Sequence, residues 1–292
     1  GQASRRKRPT VSLMRSVRLV SRCILLAVLS GCASTFPSLS LPSGPGTPFP
    51  DYGPAFETAV SECRNVRTLD TLIRLRGRGG GMNISGRVLA GLAAPASLRL
   101  VWLAPFGPPG FVFVARPGEA TLWLTREARV LTDVPAADML ESLTGVALAP
   151  EDLRAVLTGC LVPEPRPTAG RSYGDLVAVD LQGGAVAYLR RIGGEHHLVA
   201  GTRDRLQIEY GEFRRHIPRR VRVLSDELVA GSREPLTDLT ATLFEPDINV
   251  DIPDEAFVLS DDDIPDDVMP MTLDDLRRVS PLEAPPEPSS SR

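Results

Sequence analysis

From Thr71 onward apolar and polar positions alternate: Ile73 and Leu75 are interleaved with Arg74, Arg76 and Arg78, the pattern of a strand with one face buried. β-rich runs follow over 82–92, 98–103, 111–115 and 120–124, and again over 176–180, 185–191, 197–200, 206–210, 219–224 and 236–244. The breaks between the early runs are short and rich in Gly or Pro: Gly79-Gly80-Gly81, residues 93–95, residues 105–110 and Pro117-Gly118. Connections of that length serve antiparallel neighbours, because a parallel crossover takes a dozen residues or more. Helical spacing appears in three places. Phe56, Val60 and Cys63 recur behind Gly53-Pro54 and predict a helix running to about Val66. Residues 135–143 and 150–157 each have Pro in front, Gly behind and one apolar face, with Glu151 and Asp152 placed to suit the helix dipole in the second. Residues 163–171 read as a loop.

The order helix, strands, two helices, strands predicts one α+β domain, a long curling antiparallel sheet with helices on one side. In two places the apolar pattern covers both faces of a strand. Leu98, Leu100 and Trp102 oppose Val101 and Leu103, and Phe111 to Val114 is unbroken. A sheet packed on both sides, or one lining an apolar cavity, accounts for this.

The flanks have a different character. Basic residues follow Met14, then comes the apolar run from Cys23 to Leu29, then Leu29-Ser30-Gly31-Cys32, the three-part order of a secretory signal on a run too short to span a bilayer. A Cys directly after Leu-Ser-Gly resembles the lipobox of bacterial lipoproteins. That resemblance implies cleavage after residue 31, a diacylated Cys32 and a durable two-chain membrane anchor. Ala33 follows, where an Asp resembles an inner-membrane retention signal, so the expected location is the outer membrane, facing the periplasm. Residues 1–13 precede the Met and are expected to be an upstream extension. Residues 32–50, uncharged and rich in Ser, Pro and Gly, read as a flexible linker. The globular domain is expected over 51–259, and the acidic, Pro-rich tail over 260–292 is expected to be disordered.

Loss of residues 1–31 removes seven basic residues and no acid, moving the formal net charge from −3 to −10. This argues against a nucleic-acid partner. Beyond Cys23 and Cys32 the sequence has Cys63 and Cys160. An oxidising compartment favours a disulfide between them, and two separately buried thiols are the alternative. The histidines His196, His197 and His216 lack metal-ligand spacing in sequence, neighbouring residues on a strand point to opposite faces, and a solvated setting is expected for all three. The Gly77 to Gly81 stretch lacks the Lys-Ser or Lys-Thr of a phosphate loop, and no Ser sits in a nucleophile elbow. Neither enzyme activity, cofactor nor metal is expected. The basic stretch from Arg214 to Arg222 fits either an anionic surface or a solvated strand face.

Leu98-Arg99-Leu100 with Pro105-Phe106-Gly107, then residues 143–148 (Leu-Thr-Gly-Val-Ala-Leu) and 153–159 (Leu-Arg-Ala-Val-Leu-Thr-Gly), resemble the outer-membrane lipoprotein receptor LolB of the LolA/LolB-like lipoprotein-localisation family. The resemblance implies an unclosed antiparallel β half-barrel covered by helices, with an apolar cavity for the acyl chains of lipoproteins handed over by a periplasmic LolA-like carrier. It also implies a membrane-insertion loop bearing a large apolar residue. Phe106 holds that position, where the family often has Leu; the long linker and acidic tail depart from the family's compact receptor. Leu100, Trp102, Phe113, Leu122, Met139, Leu143, Leu153 and Leu157 are the candidate cavity lining, and a monomer is expected. Two alternatives stay open: an envelope lipoprotein of the same fold for lipid or glycolipid, and a scaffold lipoprotein with a solid core.

Overall fold

The computed structural model describes residues 38–260, 263–279 and 281–282. Cys32, the signal segment and most of the linker lie outside the described residues. Among the described residues fifteen strands form one sheet, in the order β1-β8-β9-β10-β11-β12-β13-β14-β2-β3-β4-β5-β6-β7-β15, accompanied by four helices, α1 (Tyr52–Val60), α2 (Ala136–Thr144), α3 (Pro150–Thr158) and α4 (Leu273–Val279). This is the unclosed half-barrel covered by helices that the family resemblance implied. A single apolar core contains residues from α1, α2, α3, α4 and the inner faces of most strands.

The first half of the sheet is a meander of β2 (Thr68–Gly79), β3 (Met82–Ala93), β4 (Ser97–Leu103), β5 (Phe111–Arg116), β6 (Glu119–Leu124) and β7 (Arg129–Leu131). The second runs through β8 (Pro167–Tyr173), β9 (Leu176–Leu181), β10 (Val186–Ile192), β11 (Glu195–Arg203), β12 (Leu206–Gly211), β13 (Arg220–Ser225) and β14 (Asp238–Ile248). The halves meet where β14 pairs antiparallel with β2, Leu239 opposite Gly77 and Leu243 opposite Ile73.

α2 and α3 end as their glycines dictate, with Gly145 and Gly159 in the left-handed region. At Gly145 the absence of a side chain has a second use: a Cβ there would lie 2.0 Å from the Gly80 nitrogen, and one on Gly79 would lie 2.0 Å from the Thr144 carbonyl oxygen. The end of α2 therefore rests directly on the turn between β2 and β3. Buried Thr237 joins the two, its hydroxyl donating to the Gly145 carbonyl at 3.2 Å and accepting from the Gly80 amide at 3.1 Å.

The unbroken apolar run on β5 is buried on both faces. Phe111 and Phe113 enter the core, while Val112 and Val114 are buried outside it. A 3₁₀ turn, Asp254–Phe257, packs against β4 and β5; it buries Phe257 and accepts a hydrogen bond from Arg99 at the Ala256 carbonyl (3.1 Å).

Four expectations need correction. Residues 163–171 are not all loop: β8 begins at Pro167 and pairs with β9 and with β1 (Thr47–Pro48). Its Gly, Ser and Thr give no apolar period, and its backbone ladder carries it. Because β1 is a strand of the sheet, the fold begins inside the expected linker. The first helix stops at Val60 and gives way to a 3₁₀ turn, Cys63–Asn65. The tail is not disordered from residue 260: β15 (Met269–Pro270) lies parallel to β7, and α4 follows. Met271, Leu276 and Leu282 are buried, and these sparse apolar anchors outweigh the acids around them.

Candidate functional site

Under α2 and α3 lies a cavity of about 100 Å³. Five adjacent strands form its wall: Val221 and Val223 from β13, Leu239 and Ala241 from β14, Ile73 and Leu75 from β2, Val88 from β3, and Leu100 from β4. Leu140, Leu153, Val156 and Leu157 of the two helices line its other side, with Val146 and Leu148 from the loop between them. Register explains the convergence. Val221 sits opposite Ala241, Ala241 opposite Leu75, and Ile73 opposite Val88, so these side chains leave the sheet on one face. Thr144, the one polar residue in the lining, donates its hydroxyl to the Leu140 carbonyl at 2.7 Å. No ionisable group lines the cavity.

Helix α3 is held at both ends. Asp152 in its first turn pairs with Arg203 of β11 at 2.6 Å, both side chains largely buried, and Arg203 also donates to the Leu161 carbonyl (3.2 Å). Beyond its last turn, Cys160 forms a disulfide with Cys63, Cα to Cα 5.6 Å, across 97 residues of sequence.

Of the candidate lining residues, Leu100, Leu153 and Leu157 line the cavity. Phe113, Leu122, Met139 and Leu143 do not: each is almost wholly buried in solid core. Phe113 and Leu122 occupy the same face as Leu100, Phe113 opposite Leu100 and Leu122 opposite Phe113, but in the flank where the core is filled. Trp102 is also outside the cavity. Its ring stacks on Phe111, centroids 6.1 Å apart, and covers Gly86, where a Cβ would lie 2.2 Å from it.

The loop over 104–110 projects from the end of β4. Phe106 is 90% exposed, the most exposed of the large apolar side chains among the described residues. The base of the loop is fastened by the Gly110 amide to the Trp102 carbonyl (2.8 Å), by the Thr125 amide to the Gly110 carbonyl (3.2 Å), and by the Thr125 hydroxyl to the Pro109 carbonyl. Arg126 reaches the Phe106 carbonyl at 3.5 Å, which places a cation beside the aromatic tip.

Two charged features differ from expectation. The basic stretch is partly neutralised within the sheet: Arg222 pairs with Asp238 at 2.7 Å and Arg220 with Glu212 at 2.7 Å. His197 is not solvated. It is buried, stacks on His216 with centroids 4.5 Å apart and faces Phe213 at 5.2 Å. Burial, and then the neighbouring His216, push its pKa below the ordinary histidine value. The meeting of residues 197 and 216 depends on the β12–β13 connection folding over β11, and no local spacing announces it.

No protein-family profile matches the sequence, and no curated protein matches it. Among solved structures the chain is similar to a DUF1329 family protein of Desulfovibrio piger, with 11% identity over 73% of this chain and 98% of that one, TM-score 0.42. It is also similar to a LolA superfamily protein of Nitrosomonas europaea, with 10% identity over 70% and 94% of the two chains, TM-score 0.44. A third is the lipoprotein LppX of Mycobacterium tuberculosis, with 10% identity over 68% and 99%, TM-score 0.30.

Proposed function

We propose that this chain is an exported lipoprotein, acylated at Cys32 and held on the outer membrane facing the periplasm, whose half-barrel receives acyl chains and passes them to the bilayer. The observation that carries this reading is the cavity without an ionisable group between the helices and five strands. Its volume is below the roughly 150 Å³ that holds a benzene ring, and Leu75, Leu153 and Ala241 in its lining are only partly buried, so an acyl chain enters on that side and fits fully only as α2 and α3 give way. Each methylene is worth about 0.8 kcal/mol against water. Cargo therefore moves directly from carrier to cavity to bilayer, and small affinity differences set its direction. The exposed Phe106, on a loop stiffened by Pro105, Pro108 and Pro109 and flanked by Arg126, is the element that dips into the bilayer interface. The cargo is an acylated lipoprotein delivered by a LolA-like carrier, as the sequence resemblance implies.

The filled flank around Phe113 and Leu122 favours a second reading, a scaffold lipoprotein with a solid core. A transfer assay decides between them. The mature chain with Cys32→Ala is mixed with a carrier loaded with labelled lipoprotein, and liposomes are then added. Cargo is expected to move to the wild-type domain and onward to liposomes. Phe106→Glu is expected to accept cargo but deliver it at least about tenfold more slowly, with an unchanged melting temperature, because an exposed substitution leaves packing intact. Absence of cargo transfer, together with absence of apolar dye binding, rejects the proposal in favour of the scaffold.

A further inference from the structure

The period of β11 places Glu195 and His197 on one face and sends His196 to the other, where it meets Phe49 edge-on at 6.4 Å. The β12–β13 connection lays His216 over His197, rings 15° from parallel. His216 Nε2 lies 3.6 Å from a Glu195 carboxylate oxygen, too far for a hydrogen bond, and His216 Nδ1 lies 4.0 Å from Glu62. His197 Nδ1 and His216 Nε2 are both buried without a hydrogen-bond partner among the described residues. One ligand atom from each of Glu195, His197 and His216 lies within 4.8 Å of the others. A buried polar atom left unpaired is costly, and two imidazole nitrogens left so beside one carboxylate call for a common partner.

We propose that Glu195, His197 and His216 form a three-ligand site for a borderline divalent cation of the zinc class. Imidazole suits Zn²⁺, Cu²⁺ or Ni²⁺, whereas Mg²⁺ and Ca²⁺ select oxygen-only shells. Zinc–nitrogen bonds of about 2.0–2.1 Å set neighbouring tetrahedral ligand atoms roughly 3.3 Å apart. The Glu195 side chain, 64% exposed, is free to swing in, the stacked His197 and His216 rings tilt out of their near-parallel setting so that both in-plane lone pairs meet the cation, and water takes the remaining position. Glu62 lies 4.0 Å from the opposite nitrogen of His216, and a shift of about 1 Å would bring it into hydrogen-bond reach, where a carboxylate behind a metal-bound histidine orients the ring. A bound cation joins β11, the β12–β13 connection and, through Glu62, the turn that leads to Cys63. None of these residues lines the apolar cavity, so the site stands or falls independently of acyl binding.

The test titrates the full chain with zinc chloride alone, in competition with a chromophoric chelator, and repeats the titration with cobalt to read its visible bands. The expected result is one equivalent bound with Kd at or below about 1 µM, weakened at least about tenfold in Glu195→Gln and at least about thirtyfold in His216→Ala. Magnesium is expected not to compete, and His196→Ala, on the opposite face, to bind as the wild type does. Glu195→Gln is a surface substitution and keeps the measurement interpretable should a histidine variant fail to fold. Wild-type binding weaker than about 100 µM, or equal affinity in wild type and Glu195→Gln, overturns the site and leaves a bridging water as the partner of the two rings.

Discussion

Asp275 accepts hydrogen bonds from both the amide and the hydroxyl of Thr272, each at 2.9 Å, and its own amide donates to the Thr272 hydroxyl oxygen at 3.2 Å. This reciprocal pair is a capping box at the start of α4, with Arg278 one turn on donating to the same carboxylate. The Thr272 amide and hydroxyl, with Arg278 behind them, hold the Asp275 pKa down at about 2, against an ordinary value of 3.8. A depressed carboxylate stabilises the folded state fully above its unfolded pKa, and that contribution fades as pH falls through the folded value. Hydrogen-exchange protection of the Leu276 amide is therefore expected to decline between pH 4 and pH 2, after correction for intrinsic exchange. Asp275→Asn is expected to lower that protection at neutral pH and flatten its pH profile. Thr272 and Asp275 stand at capping spacing in the sequence, but the run of acids around them hid the signal. The histidine pair was equally hidden, since residues 197 and 216 meet only when two hairpins stack.

At the scale of elements, α2 and α3 were legible because Pro and Gly mark their ends and their apolar residues share one face. β8 was not, because its Gly, Ser and Thr carry no apolar period and none of its residues is fully buried. Face was legible and position along the concave surface was not: Leu100 and Phe113 point the same way, yet one meets the cavity and the other solid core. The Cys63–Cys160 bridge joins the turn after α1 to the end of α3 across 97 residues. By loop-closure entropy, a link of that span restricts the unfolded chain by about 4–5 kcal/mol. The double variant Cys63→Ala with Cys160→Ala is expected to lose about 2–5 kcal/mol of unfolding free energy, read from urea denaturation. Unchanged stability would show that the bridge contributes nothing net to the folded state.

For the molecule as a whole, the cavity sets stability against binding. Ala241 lies on the cavity wall in the middle of the β13–β14–β2 face. Ala241→Leu adds three carbons to unfilled space and is expected to raise stability by about 0.5–2 kcal/mol, as cavity filling does elsewhere. The same change is expected to weaken acyl or apolar dye binding at least about tenfold. Opposite signs in a melting curve and a dye titration mark a cavity kept open for a ligand, and a gain in stability with unchanged binding places the ligand elsewhere.

The pairing of β14 with β2 has a consequence in time. Leu243 and Ile73, neighbours across that pair, are about 170 residues apart along the chain, and contacts of such separation form late because a long loop must close first. Each flank of the sheet can zip from local hairpins, but the five-strand wall comes into being only when β14 reaches β2. A chain that leaves the ribosome N-terminus first therefore cannot complete this apolar wall early. The surface most prone to stick to other chains is assembled and covered in one late step.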